Sequence, residues 1–68
     1  MTYTIKSEKI GNYTISIYQA KYSKRFIVEV LRSYSDGSGL AHLEKEHDFA
    51  SIRSANNKYN KYIKYYKA

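Results

Sequence analysis

The spacing of apolar residues changes once along this chain of 68 residues, near residue 50. Before that point apolar side chains recur at every second position, as in Tyr13, Ile15 and Ile17, which is the period of a half-buried strand. After it they recur at every third or fourth position, which is the period of one face of an α-helix. A chain of this length has room for one small domain. The change of period therefore predicts a single α+β domain over residues 1–68, with the strands first and one helix last.

Four strands are predicted, at about residues 2–10, 13–21, 25–34 and 40–47. Gly11-Asn12 favours a type II′ hairpin turn between the first two strands, because glycine accepts a positive φ at the first central position. The third strand is apolar on both faces and is expected inside the sheet. Two glycines and three small polar residues at 35–39 predict a reversal before the fourth strand. The sequence LEKEH in that last strand is also compatible with a helix.

The last predicted element is a helix at about residues 51–66. Its apolar positions are Ile52, Ala55, Tyr59, Tyr62, Ile63 and Tyr66. Either Asp48 or Ser51 can cap its start by accepting hydrogen bonds from free backbone N–H groups. The predicted fold is a four-stranded antiparallel β-meander of order 1-2-3-4, with the C-terminal helix packed on one face. That face is expected to carry Ile15, Ile17, Val28 and Val30.

Positive charge is concentrated in the predicted helix. Residues 53–68 hold five of the twelve basic side chains and none of the six acidic ones, whereas residues 1–52 are close to neutral. The five are Arg53, Lys58, Lys61, Lys64 and Lys67, and Tyr65 lies on the same half of the helix. Lysines neutralise phosphates and aromatic rings stack on bases, so this face predicts contact with a nucleic acid or a nucleoprotein complex. A solvated outer face and an acidic protein partner are the alternative interpretations.

The sheet face opposite the helix suggests a second interaction surface. It is expected to present Tyr18, Ile27, Glu29 and Leu31. Protein interfaces favour tyrosine and tolerate a charge at the rim. This face therefore predicts contact with another protein or with a second copy in a homodimer.

The sequence shows no pattern typical of an enzyme. It has no cysteine, no nucleophile elbow and no glycine-rich phosphate loop. Its one group of metal-ligand residues surrounds His42 and His47, but strand alternation places His42, Glu44 and Glu46 on one face and His47 on the other. We therefore expect a non-enzymatic protein without a metal or cofactor.

The N-terminal sequence and the overall hydropathy bear on location. The first ten residues lack the basic and apolar regions of a signal peptide. No apolar run approaches the roughly 18 residues that a membrane span requires. The sequence therefore predicts a cytoplasmic protein with no membrane partner.

The C-terminal third carries a resemblance to a known family. Phe49, Ser51 and Ala55 match the F-x-[ST]-x-x-x-A helix start of the small sheet-plus-helix domains with which tyrosine integrases of mobile elements bind arm-type DNA sites. The similarity covers about residues 13–63 and implies a DNA-binding domain whose helix-free sheet face enters the major groove. Here that face would present Glu29 between Ile27 and Leu31, and an acid and two aliphatic residues suit neither phosphates nor base edges. The helix is therefore the preferred nucleic-acid surface.

A second resemblance rests on size and character alone. The chain is similar in these respects to the small proteins with which phages block host defence, such as anti-CRISPR proteins. It implies an alternative function, in which a phage or mobile-element inhibitor binds a host protein through the sheet face or the helix.

Overall fold

Four strands precede one helix in the computed structural model, which describes residues 2–34, 37 and 39–68. The elements are β1 (Thr2–Ile10), β2 (Tyr13–Ala20), β3 (Phe26–Ser33), β4 (Ala41–Phe49) and α1 (Ile52–Lys67). The strands form one antiparallel sheet of order β1-β2-β3-β4, and α1 is the C-terminal helix. The predicted α+β meander is confirmed, including the interior position of β3.

Glycines allow two of the chain reversals. Gly11 has a φ of +59° and Asn12 has a negative φ, which is the pattern of a type II′ turn between β1 and β2. Gly37 and Gly39 have φ values of +80° and +76° in the segment between β3 and β4. The backbone N–H of Tyr34 donates to the carbonyl of Leu40 at 3.1 Å across this segment. Ser35, Asp36 and Ser38 of the predicted loop lie outside the described residues.

The segment for which the sequence allowed a helix is the strand β4, and it contains a bulge. Val30 pairs with Lys45 but Leu31 pairs with Leu43, so Glu44 is an extra residue on β4. The bulge reverses the alternation, placing Glu46 on the helix-free face while both histidines lie on the helix side. The prediction that His42, Glu44 and Glu46 share a face is therefore wrong.

The core lies between one face of the sheet and α1. Its buried residues are Ile15, Ile17, Val28, Val30, Ala55, Tyr59 and Tyr62. The predicted sheet side of the core is thus confirmed, and Ile63 and Tyr66 pack at its edge. Ile52, which the periodicity assigned to the apolar helix face, is the first helical residue, is 38% exposed and lies outside the core.

Ser51 caps the helix, whereas Asp48 forms an ion pair with Arg25. The Ser51 hydroxyl accepts hydrogen bonds from the backbone N–H groups of Arg53 at 3.1 Å and Ser54 at 3.3 Å. We expect Ser51→Ala to lower the free energy of unfolding by about 1 kcal/mol, because two helix donors lose their acceptor. Urea denaturation would measure the change. Ser54→Ala is the control, and equal losses in the two variants would contradict the assignment of the cap.

Candidate nucleic-acid interface

The outer surface of α1 is basic. Arg53, Lys61 and Lys64 are exposed on the side of the helix that faces away from Ala55, Tyr59 and Tyr62. None of the three takes part in an ion pair found among the described residues. Uncompensated cations at neighbouring helix positions repel one another mildly, so this surface gains from any bound polyanion.

Tyr65 lies beside these cations at the C-terminal end of the helix. Its side chain is 70% exposed, which makes it the most exposed aromatic residue of α1. Its ring contacts the ring of Tyr66 edge-on, with the centroids 5.0 Å apart. Tyr66 therefore supports Tyr65 from the core side while most of the Tyr65 ring remains open to a partner.

The Tyr62 ring contacts one lysine of the sheet and one lysine of the helix. The Nζ atom of Lys58 lies 5.1 Å from the centroid of the Tyr62 ring, and that of Lys45 lies 5.6 Å from it. The Tyr62 hydroxyl and Nε2 of His47 are hydrogen-bonded at 2.6 Å. The buried ring thus positions two ammonium groups through cation–π contacts, one from β4 and one from α1. Sequence reasoning missed Lys45, because its neighbours in sequence are acidic.

Lys67 lies apart from the other helix cations. Its Nζ atom forms an ion pair with Oε2 of Glu8 at 2.9 Å, across to β1. The charge of Lys67 is therefore already balanced, and among the predicted phosphate contacts it is the least available to a partner.

Among the described residues, the lysines and arginines of α1 and β4 other than Lys67 form no ion pair with an acid. Glu44, the other acid at the helix side of the sheet, is paired with Arg32 at 3.1 Å. We define the basic surface by the cations of α1 and β4 that take part in none of the ion pairs found among the described residues. They are Lys45, Arg53, Lys58, Lys61 and Lys64.

A second basic element, the hairpin at residues 21–25, was missed by sequence reasoning. It has the sequence KYSKR and joins β2 to β3. Tyr22 at its tip is 86% exposed, more than any other large apolar or aromatic residue among those described. The signal that could have found it is the presence of three cations around one tyrosine in five residues.

The helix-free sheet face has a different character from the basic surface. Glu29 and Glu46 lie directly opposite each other on β3 and β4, and neither takes part in an ion pair found among the described residues. The Tyr18 hydroxyl donates a hydrogen bond to Oε2 of Glu29 at 2.9 Å. Burial, followed by this hydrogen bond and the charges of Glu29 and Glu46, raises the pKa of Tyr18 to about 12.

The apolar residues of this face are less exposed than the sequence suggested. Tyr18, Ile27 and Leu31 are each half-buried by their neighbours. Leu43, which pairs with Leu31, is 45% exposed and was missed. The helix-free sheet face therefore has two carboxylates at its centre and leucines beside them. Its exposed apolar area is smaller than the sequence suggested.

The raised pKa of Tyr18 predicts a loss of stability at high pH. The folded protein holds this proton more tightly than the unfolded chain, in which the tyrosine pKa is about 10. The contribution of Tyr18 is complete below pH 10 and is lost as the pH rises through about 12. We expect Tyr18→Phe to lose less unfolding free energy than the wild type between pH 9 and about pH 11. Urea denaturation at the two pH values tests this, and an equal or larger loss in the variant would contradict it.

Comparisons with known proteins gave no match. No protein-family model, curated protein or solved structure is significantly similar to this chain. Within residues 2–34, 37 and 39–68, no helix combines the length and apolar character needed to cross a membrane. The same residues form no pocket, and no three of their His, Asp or Glu side chains are grouped as metal ligands.

Proposed function

We propose that this chain is a non-enzymatic binding protein that engages a nucleic acid or a nucleoprotein complex through the basic surface, with Tyr65 at its edge. One observation carries the proposal. The basic surface consists of four cations of α1 and one of β4, and none of them is paired with an acid among the described residues. Clustered lysines release condensed counterions when they neutralise phosphates, which is the main source of sequence-independent affinity for nucleic acids.

The residue types of the basic surface indicate whether it distinguishes one nucleic-acid sequence from another. Four of the five cations are lysines, which bind phosphates as point charges and do not form the planar bidentate contacts that read guanine. The contacts therefore position the protein on the backbone and carry little sequence information. A protein of this kind depends on charge and on the shape of its ligand for selectivity.

The proposal is tested by fluorescence anisotropy with labelled single-stranded and duplex oligonucleotides of DNA and RNA. We expect binding at about 50 mM salt that weakens steeply by about 200 mM. If all five cations contact phosphates, log Kd should change with log salt by about 4.5 for duplex DNA and about 3.5 for a single strand. Absence of binding at the lower salt, or a slope near zero, would contradict the proposal.

The helix-free sheet face supports a second candidate function. Two carboxylates directly opposite each other on adjacent strands destabilise a sheet, yet Glu29 and Glu46 occupy such positions. A partner with a cationic group between apolar residues would match these acids and the exposed Leu43 beside them. This observation favours the alternative that the chain is a phage or mobile-element inhibitor of a host protein, or that this face joins two copies.

Glu46→Lys is expected to change the stability of the protein and the binding of a cationic partner in opposite directions. The variant places a lysine opposite Glu29, so a cross-strand pair of opposite charges replaces the like-charged one. We therefore expect the free energy of unfolding to rise by about 0.2 to 1 kcal/mol. The substitution should also abolish binding to a cationic protein partner.

Urea denaturation measures the first effect of Glu46→Lys. Glu46→Gln is the control, with a smaller gain expected because it removes the repulsion without adding an attraction. If Glu46→Lys is less stable than the wild type, the two carboxylates do not repel each other as proposed.

A further inference from the structure

The hairpin at residues 21–25 presents an exposed aromatic ring among cations, at a place where the fold does not need one. We infer that this hairpin is a second contact with the nucleic acid, and that Tyr22 stacks on an unpaired base. The ligand would then be a single-stranded nucleic acid or a single-stranded segment. The inference rests on the proposed function, because it assumes that the basic surface binds the backbone of the same strand.

The backbone of the hairpin is held in one conformation. The N–H of Ala20 donates to the carbonyl of Arg25 at 3.0 Å, and the N–H of Lys24 donates to the carbonyl of Ala20 at 2.9 Å. Lys24 adopts a φ of +56°, and its carbonyl accepts a hydrogen bond from the Gln19 side chain at 3.3 Å. The ion pair between Arg25 and Asp48 ties the hairpin to β4. The tip therefore presents Tyr22 from a defined position, which lowers the entropy that binding must remove.

The Tyr22 side chain has no evident structural role. It does not belong to the core, and the one ring contact found for it among the described residues is with Nζ of Lys21, at 5.9 Å from the ring centroid. An aromatic ring with a cation at its side is the combination with which proteins bind unpaired bases, because the ring stacks on any base while the cation attracts the adjacent phosphate. In a duplex the bases are already stacked on each other and are not available to such a ring.

The hairpin is close to one end of the basic surface. Phe26, directly after the hairpin, pairs with Phe49 at the end of β4, and Arg53 lies in the first turn of α1 that follows. Tyr65 is near the other end of the same helix. The two most exposed aromatic side chains, at 86% for Tyr22 and 70% for Tyr65, thus lie beyond opposite ends of a row of lysines. A strand that follows the lysines can place unpaired bases on both rings.

The test compares Tyr22 variants on single-stranded and duplex ligands. The probes are a labelled single strand of about 15 nucleotides, as DNA and as RNA, and a blunt-ended duplex of the same length. We expect Tyr22→Ala to weaken single-strand binding about tenfold, because the variant lacks the ring on which the base stacks, and to leave duplex binding within about twofold. Tyr22→Phe keeps the ring and should retain the affinity. Tyr34→Ala, at the opposite end of β3, is the matched control and should bind as the wild type does.

Each other outcome overturns the inference. It is wrong if Tyr22→Ala binds the single strand as tightly as the wild type, or if it loses single-strand and duplex affinity equally. It is also wrong if Tyr34→Ala is impaired to the same degree. If wild-type binding is salt-dependent but indifferent to Tyr22, the stacking inference fails and the proposed function stands. If the wild type binds none of the probes, both fail.

Discussion

Replacing Tyr62 with alanine is expected to lower the free energy of unfolding by about 3 to 5 kcal/mol, as truncation of a large buried aromatic side chain does. Tyr62 is one of three helix residues in the core, and its hydroxyl is hydrogen-bonded to His47. Its ring also positions Lys45 and Lys58. The truncation therefore removes core packing, a hydrogen bond and two cation–π contacts together. Since small domains have only about 5 to 15 kcal/mol of stability, this loss removes a large part of the free energy of unfolding.

Two other variants separate these contributions. Tyr65→Ala makes the same change on the exposed side of the helix and should alter the free energy of unfolding by less than about 0.5 kcal/mol. Tyr62→Phe removes only the hydroxyl and should cost about 1 kcal/mol. Urea denaturation followed by circular dichroism measures all three. If Tyr62→Ala costs no more than Tyr62→Phe, the ring does not hold the helix on the sheet as described.

The double reversal Lys61→Glu with Lys64→Glu is expected to weaken nucleic-acid binding by at least about tenfold at low salt while leaving the fold intact. Neither side chain belongs to the core, so the helix loses no buried packing. Loss of two phosphate contacts should lower the salt slope by about 1.4 to 1.8. Anisotropy titrations at several salt concentrations measure both quantities, and thermal denaturation checks the fold.

A matched control distinguishes a local contact from a general effect of net charge. Lys6→Glu with Lys9→Glu changes the net charge by the same amount at two residues of β1, outside the basic surface. The Nζ atom of Lys6 lies 5.5 Å from the ring centroid of Tyr59, so thermal denaturation checks the fold of this variant as well. We expect this variant to keep a salt slope close to that of the wild type. Equal losses of affinity and slope in the two double variants would show that only the total charge matters.

The fold could be predicted from the sequence because its core lies between a single face of the sheet and a single face of the helix. The alternation of Ile15 and Ile17 on β2 and of Val28 and Val30 on β3 identified the buried sheet face. The three-and-four spacing that includes Ala55, Tyr59 and Tyr62 identified the helix face opposite it. Each pattern reflects burial on one side of a strand or helix, and apolar residue types indicate buried positions directly.

The bulge in β4 could not be predicted. An extra residue at Glu44 reverses the faces of everything before it in the strand, and nothing in the local sequence marks the place. For the candidate sites the consequence is that His42 shares the helix side with His47, while Glu46 lies on the helix-free face.

The candidate site was predictable only in part, because availability depends on packing. The excess of cations in α1 was visible in the sequence, but the pairing of Lys67 with Glu8 joins residues from opposite ends of the chain. The contact of Lys45 on β4 with the ring of Tyr62 on α1 likewise joins two elements, and the spacing of residues within either element does not predict it. Tyr22 could have been noticed from the sequence KYSKR, although its exposure depends on the hairpin that holds it.

The central claim is that the basic surface, and not the helix-free sheet face, contacts a polyanion. The most direct measurement is an NMR titration of the isotope-labelled protein with a single-stranded oligonucleotide, followed through the backbone amides. We predict shift changes concentrated on the basic surface, at Tyr65 and in the hairpin at residues 21–25, with few changes near Glu29 and Leu43. Changes centred on Glu29 and Leu43, or none at saturating oligonucleotide, would contradict the claim.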